Sequence, residues 1–408
     1  MFTKFTIVVP TRERAMPLHF CLKNLLKQDY DNYNILVSDN YSNDDTYAVV
    51  HAFHDSRIRY VNTGKRLSMS DNWEFALSHV IDGWVLFVGD DDGLLPSALS
   101  VLNKVILETS CEALSTTSCS YWWPNHFELK PKGELTIPFP VTSLYKIKQS
   151  AVVLDLVMRG LKPYRELPWL YNGGASSVDL INRLRRFDGK FFCSFNPDIY
   201  SAVSMALGTL TYASISVPIA INGASKFSNG TSSMLGELNK AGSPNSIMMK
   251  EDNIPFHPDL ELGKSFQILV YESYLQASHL YAKLIYKMPG QIKTSLIVSP
   301  RSDFLQVLTQ CQIIAKRNNI SMPRLEWIMV NRKFFQLYTI YRRLTQRRAF
   351  SIPASDLEAF NIDIASDAAS YIYRKLEYIS SKSYLDKVFF HIFIFVISLV
   401  QYSRRIFK

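Results

Sequence analysis

Residues 84–96 read WVLFVGDDDGLLP. An apolar run from Trp84 to Val88 stops at Gly89, three aspartates follow with no basic residue among them, and the chain turns apolar again. An unbroken apolar run of this length fits a strand buried on both faces, as in a parallel sheet sandwiched between helices. The aspartates then mark the point where that strand surfaces. Two ionised carboxylates ~4 Å apart repel by about 1 kcal/mol in water and about 4 kcal/mol at an effective dielectric near 20. A turn with three of them needs raised pKa values, full solvation or a divalent cation to offset that repulsion. The plainer alternative is an Asp-rich turn that caps the helix opened by Pro96.

Working outward, the strand is the fourth of a series. FTIVV (Phe5 to Val9), NILVSD, RIRYVNT and WVLFV read as strands. Between them, PLHFCLKNLLKQ, DDTYAVVHAFH and SMSDNWEFALSHVI have helical spacing, and PSALSVLNKVILE follows the fourth strand as another helix. Short apolar strands alternating with amphipathic helices predict an α/β domain with a mostly parallel sheet flanked by helices. Ligands of such sheets sit outside the carboxyl ends of the strands. Those ends read VVPTRER, VSDNYSNDD, VNTGKR and VGDDD. Asp39 and Asp90 to Asp92 therefore share one rim with Arg12, Arg14, Lys65 and Arg66, a combination suited to a nucleotide diphosphate: acids for base N–H groups or ribose hydroxyls, cations for phosphate oxygens.

Composition sets the outer limits. With 408 residues, 47% of them hydrophobic and 20% charged, the chain can bury a sizeable core and is neither fibrous nor disordered. The five cysteines are odd in number and show no C-x-x-C spacing, which fits a reducing compartment and argues against a disulfide framework or a zinc knuckle. The amino terminus does not read as a signal peptide, and the chain is expected to be cytoplasmic. Past Glu108 the alternation loosens. SCEALSTTSCSYWW reads as a further strand, residues 124–150 as a loop or hairpin excursion, AVVLDLVMRGL as a helix, and residues 221–234 as a Gly/Ser/Asn-rich loop. Three regions are expected: an α/β domain over 1–235, a linker over 236–261, and a mainly helical region over 262–408.

The ordered set P-T-R after the first strand, V-S-D-N-x-S-x-D-x-T after the second, N-W-E-F-A-L in the third helix and V-G-D-D-D-x-x-L-P after the fourth strand resembles family 2 glycosyltransferases with the GT-A fold, over about residues 3 to 110 and more weakly to about 235, which implies that 1–235 is the nucleotide-sugar-binding and catalytic domain. The resemblance implies that Pro10, Thr11 and Arg12 lie beside a nucleotide, and that Asp39 takes the base, commonly uracil, with Asn40 and Ser42 shaping the loop. It implies that Asn72 matches the family's helix asparagine, and that the aspartate cluster holds Mn2+ or Mg2+ on a donor diphosphate. Two departures matter. Relatives often read D-x-D-D, which places their leading acid on Gly89. The register is therefore open: Asp91 or Asp92 for the metal, Asp90 or Asp91 for ribose or sugar hydroxyls. Relatives also often carry an arginine where this chain has Asp71, so Lys65 or Arg66 is expected to supply a phosphate contact.

Inverting transfer needs a carboxylate that takes the proton of the acceptor hydroxyl. In this family it lies about 100 residues after the metal motif, which selects Asp198 in SFNPDIYSAVSMAL. Asp179 and Asp188 compete, although Arg185 and Arg186 suit Asp188 to an ion pair, and Asp198 has the simple alternative role of a helix cap. LPWLYNGGASS and GASKFSNGTSS are acceptor-side or lid candidates, with Trp169 as a stacking platform or a core residue and Lys226 as a diphosphate contact. His257 is a further metal-ligand candidate, against the ordinary structural role of a lone histidine.

Between Lys316 and Arg348 nine Lys/Arg face one acid, Glu326. The aromatic-rich basic run from Arg332 lacks any nucleic-acid motif, so no nucleic-acid partner is expected. Attraction to anionic lipid fits better. The apolar tail from Val388 to Val400 is too short to span a bilayer and suits the membrane interface or internal packing. The reading is a metal-dependent, inverting glycosyltransferase that moves a sugar from a nucleotide-diphosphate sugar to a saccharide or lipid-linked acceptor, with peripheral contact at the inner face of the cell membrane. Its rivals are a sugar-phosphate nucleotidyltransferase, which normally opens with a glycine-rich loop that VVPTRER lacks, and a non-catalytic sugar- or polyanion-binding protein.

Overall fold

The computed structural model describes residues 2–124, 133–138, 143–225, 228, 254–345, 349–353 and 362–380. Four parallel strands open the chain: β1 (Phe5–Thr11), β2 (Tyr33–Asp39), β3 (Ile58–Asn62) and β4 (Trp84–Phe87), side by side in the order β4-β1-β2-β3. Their pairing is in register, so that Thr11 lies beside Asp39, and Asp39 beside Asn62. The alternation of side chains across each strand divides the core. Phe5, Ile7 and Val9 of β1 enter one apolar layer and Val8 the other; Leu86 and Phe87 of β4 split likewise. Burying side chains of this size contributes about 1.5–3 kcal/mol each, which pins the register and with it the rim.

The helices α1 (Ala15–Leu25), α2 (Thr46–His51), α3 (Met69–Ser78) and α4 (Ala98–Thr109) lie where the periodicity predicts them. Ser68 caps α3 by accepting from the Asp71 amide. The antiparallel pairings come later in the chain. A two-residue strand β5 (Gly93–Leu94) follows the aspartates, then β6 (Ala113–Trp122), β7 (Glu134–Pro138), β8 (Tyr145–Gln149), β9 (Ala175–Ser177) and β10 (Thr211–Ala224). β10 runs parallel to β6 and antiparallel to β5 and β8. The described parts of the 124–150 excursion are thus sheet.

Helices α5 (Ser150–Met158), α6 (Val178–Leu184) and α7 (Pro197–Gly208) cover the α3 side. They are joined there by α8 (Phe266–Gln276), α9 (Met288–Val298), α10 (Phe304–Arg317) and α11 (Leu325–Thr345). The chain then returns to the first region. β11 (Ala349–Pro353) pairs with β7 at the sheet edge, and α12 (Ile362–Ser380) packs beside α1, where Asp363 and Asp367 meet Lys27. Ile362 and Ala365 share a core with Leu95, Cys119 and Tyr121. Of the expected linker, the described end at 254–261 packs: Leu260 is buried and its carbonyl, with Glu261, holds Arg317 of α10. All five cysteines are free and buried. Among the described residues no helix is long and apolar enough to cross a membrane. Lys226, most of the 223–233 loop and the apolar tail at 388–400 lie outside the described residues.

Candidate active site

The three aspartates follow β4 on the rim and are almost wholly buried, at 1%, 3% and 1% exposure. They do not converge on one point. Asp90 turns to the end of β1: Thr11 Oγ1 donates to it at 2.8 Å and the Arg14 guanidinium at 2.9 Å. Asp92 turns back on its own loop and across to β10, accepting from the Gly89 amide at 3.2 Å, the Gly223 amide at 2.6 Å and the Tyr171 hydroxyl. Asp91 meets hydroxyls: Ser225 Oγ donates to its Oδ2 at 2.6 Å, and Ser228 Oγ donates to the same oxygen. The like-charge repulsion expected from the sequence is therefore relieved piecemeal, by the Arg14 guanidinium, by main-chain amides and by hydroxyls. It is not abolished. Burial, with the charge of Asp91, pushes the Asp92 carboxyl up to about 8. Burial also raises Asp90, against the pull of Arg14.

Two glycines make this packing possible. A Cβ on Gly223 would sit 1.8 Å from the Asp91 carbonyl oxygen, so only glycine lets β10 lie against the turn. A Cβ on Gly89 would sit 2.5 Å from the Tyr171 hydroxyl and 2.7 Å from Asp92 Oδ2. The leading acid of a D-x-D-D pattern has no room here because Tyr171 and Asp92 fill its place.

At the neighbouring strand end, Asp39 is buried and heavily engaged. Its Oδ1 accepts from the Ser42 amide at 2.9 Å, and its Oδ2 from Tyr60 Oη at 2.6 Å and Asn62 Nδ2 at 3.1 Å. Burial, then the bond to Asp39, pushes the Tyr60 hydroxyl up to about 12, so the proton stays on the tyrosine. Of the four or so lone-pair sites of a carboxylate, about one remains for a ligand donor. Asn40 pins the next loop through both main-chain groups of Leu67, Ser42 Oγ accepts from the Glu13 amide, and Asn72 accepts from Ser38 Oγ. Pro10 and Arg12 flank Thr11 at the end of β1. Arg66 is paired with Glu13 at 2.5 Å, whereas Lys65 lines an open cleft of about 460 Å³ shared with Ser68, Asp71 and Lys190. Asp71 is matched there by Lys190 at 3.2 Å.

Asp198 is the second residue of α7, behind Asn196 and Pro197, so it is not the cap. Its Oδ2 accepts from the Tyr164 hydroxyl at 2.6 Å. Burial and the Asp198 charge raise the Tyr164 hydroxyl far above its usual range. Asp188 is clasped by Arg186, which holds its carboxyl down to about 2, and Asp179 is exposed on the first turn of α6. One segment links the two acidic sites. Tyr164 and Tyr171 each stand edge-on to the buried Trp169, at 5.6 and 5.7 Å between ring centroids, and their hydroxyls end on Asp198 and Asp92 respectively. Trp169 is core, not an open platform.

A triad of metal ligands from Asp91, Asp92 and His257 is not assembled. Among the described residues no three His, Cys, Asp or Glu side chains are placed to hold a metal. His257 belongs to the 254–261 segment, where its ring meets the Asp259 amide at 3.3 Å. Asp92 is tied down by main-chain amides. Asp91, whose carboxylate partners are hydroxyl oxygens, suits Mg2+ or Mn2+, which take one or two carboxylates plus water and phosphate oxygens. Tyr171, Ser225 and Ser228 lie in the two loop stretches expected on the acceptor side, but their bonds to Asp92 and Asp91 are not expected from the sequence, and Tyr164 is not marked there at all, since long-range packing brings these partners in.

Residues 6–127 match the family model described as glycosyl transferase family 2. The GalNAc(5)-diNAcBac-PP-undecaprenol beta-1,3-glucosyltransferase of Campylobacter jejuni is 36% identical over 102 residues, 24% of this chain and 33% of that protein. An uncharacterized protein of Mycobacterium tuberculosis, MT1568, is 28% identical over 99 residues, 24% of this chain and 31% of that protein. The chain thus spans about a third of the length of the curated relatives it matches. The solved structure of S. aureus TarS 1-349 is similar at a TM-score of 0.43 and 14% identity, over 85% of this chain and 93% of that one. A score of that size carries no functional weight.

Proposed function

We propose, from the premise that residues 6–127 are a glycosyl transferase family 2 segment, that the chain is an inverting glycosyltransferase. It would take a nucleotide-diphosphate sugar, UDP-linked by resemblance, and a saccharide acceptor carried on a lipid. The observation that carries the reading is the divided aspartate turn. It leaves one buried carboxylate, Asp91, on exchangeable hydroxyl partners at the rim where such sheets bind ligands. Asp91 would hold a divalent cation with the donor diphosphate, and that cation would neutralise charge on the departing phosphate. His257 has no part in this, and Asp92 acts by fixing the turn.

The other roles fall to residues of the same rim and of α7. Asp39, with one site left for a donor, reads a base N–H, and Asn40 and Ser42 hold the loop that frames it. Asn72 braces the end of β2. Thr11 and Arg14 orient Asp90 toward ribose or sugar hydroxyls, with Pro10 and Arg12 beside them. Lys65 faces phosphate from its cleft. Asp198 takes the acceptor proton. Tyr164 engages Oδ2, which leaves Oδ1 to accept from the acceptor hydroxyl. As the acceptor oxygen bonds to the anomeric carbon, the bond from that carbon to the phosphate oxygen breaks, the proton passes to Asp198, and the nucleoside diphosphate leaves with the bonding electrons. The lipid-linked acceptor is supported by the name of the Campylobacter relative. Such an acceptor would bring the chain to the inner face of a membrane.

The test is Asp198→Asn assayed with a panel of nucleotide sugars. Expected is donor binding within error of wild type and a loss of transfer of about 100-fold or more. Transfer at the wild-type rate would remove Asp198 from the mechanism.

A further inference from the structure

Helix α11 is built inside out. Its inner seam, at positions 328, 332, 335, 339 and 342, carries Ile328 and Phe335 but also two arginines. Arg332 is 5% exposed, donates to the Leu296 carbonyl and to Ser299 Oγ at 2.7 Å, and lies 4.3 Å over the Phe304 ring. Arg342 donates to the Leu161 carbonyl at 2.6 Å. The outward stripe holds Trp327, Val330, Phe334, Leu337 and Ile340, with exposures of 43% to 66%. Neighbouring α10 has the ordinary arrangement, with Val307, Cys311 and Ile314 buried and Lys316 and Arg317 outside. An apolar stripe of five large side chains facing away from the core marks an interaction surface.

The charge around the stripe selects its partner. With Arg332 and Arg342 turned inward, the described exposed charges from Arg324 to Thr345 are Arg324 and Lys333 against one acid, Glu326. Exposed Arg324 and Lys333 border the stripe, and Lys293 lies 5.6 Å over the Trp327 ring. Apolar and tryptophan side chains flanked by cations match the boundary between acyl chains and anionic headgroups. We infer that the outward face of α11 lies flat on an anionic lipid surface, and that the apolar stripe, not the run of arginines, makes the contact. This deepens the membrane part of the function proposed above, and it moves the contact from the sequence motif to a defined helix face. The arginines of the run that are placed inside serve as carbonyl clamps for the helix.

The experiment is sedimentation of the purified full chain with vesicles of phosphatidylcholine alone and of phosphatidylcholine with phosphatidylglycerol, without donor. Expected is binding to the anionic vesicles that weakens in salt, and about tenfold or more weaker binding for Val330→Ser with Leu337→Ser at an unchanged thermal midpoint. A full-length Phe393→Ser with Phe395→Ser variant, altered in the tail, is expected to keep more than half of the binding. No binding by wild type, equal binding by the α11 variant, loss only in the tail variant, or light scattering that reveals a dimer broken by the α11 changes would each overturn the inference. Donor binding, measured separately without vesicles, reports on the transferase reading, so the two can fail independently.

Discussion

At the end of β2, Asp39 receives three donors from the protein, two of them on one oxygen. At the end of β4, two strands away on the same rim, Asp91 receives serine hydroxyls from beyond the end of β10. Both carboxylates are buried, and both were read from the sequence as site residues. Their surroundings separate their tasks. A carboxylate held by groups of its own strand neighbours is a fixed part of the frame. One that meets hydroxyls from a distant segment can exchange them for a metal and phosphate oxygens at little cost in fold.

The largest effect that would sharpen this contrast is on rate. With Asp91 holding the cation as proposed, Asp91→Asn should lose transfer by about 100-fold or more, while its thermal midpoint stays near that of wild type. A collapse of stability with proportionate activity would make Asp91 another frame residue. Next comes the close approach of β10. Gly223→Ala forces a Cβ to within 1.8 Å of the Asp91 carbonyl and should destabilise the fold by about 3 kcal/mol, read by denaturant unfolding. Asp39→Asn should show the opposite signature to Asp91→Asn. Its amide cannot accept from all three donors, so stability should fall by about 1–2 kcal/mol, with weaker donor binding. Unchanged stability would erase the contrast.

The smallest effect uses a carboxylate far from the rim. Glu272 of α8 is 1% exposed and accepts from Ser194 Oγ and from Gln276 Nε2 at 2.8 Å. Burial raises it from the ordinary 4.5 to about 7. The folded chain therefore keeps a proton that the unfolded chain has lost between those pH values. Its contribution to stability is greatest below 4.5, declines as pH rises toward 7 and is flat above. Glu272→Gln should remove that decline, gaining about 1–2 kcal/mol at pH 8 and nothing near pH 4, as followed by thermal unfolding across pH. A gain of equal size at both pH values would contradict the buried proton.

The parallel half of the fold was legible because its signals are local. Each strand from FTIVV to WVLFV is an uninterrupted apolar run, and each helix shows its buried face at i, i+3 and i+4. The rim followed, because strand ends in a parallel sheet are ordered by sequence. Partners across the rim were not legible. Tyr171 reaches Asp92 from 79 positions away, and Ser225 reaches Asp91 from 134. Neither distance leaves a trace in composition or spacing. The return of α12 and β11 to the first region was hidden for the same reason. In α11 the period was readable but its direction was not: Arg332 lies on the packed face because its fork finds the Leu296 and Ser299 carbonyls, which no pattern of apolar residues announces.

Calorimetric titration of nucleotide-diphosphate sugars, with and without Mn2+, into wild type and Asp91→Asn tests the division of the aspartate turn most directly. Expected is one donor that binds wild type more tightly when Mn2+ is present, and an Asp91→Asn protein in which Mn2+ makes no difference. Donor binding that ignores the cation in wild type, or that keeps its cation dependence in Asp91→Asn, would contradict it.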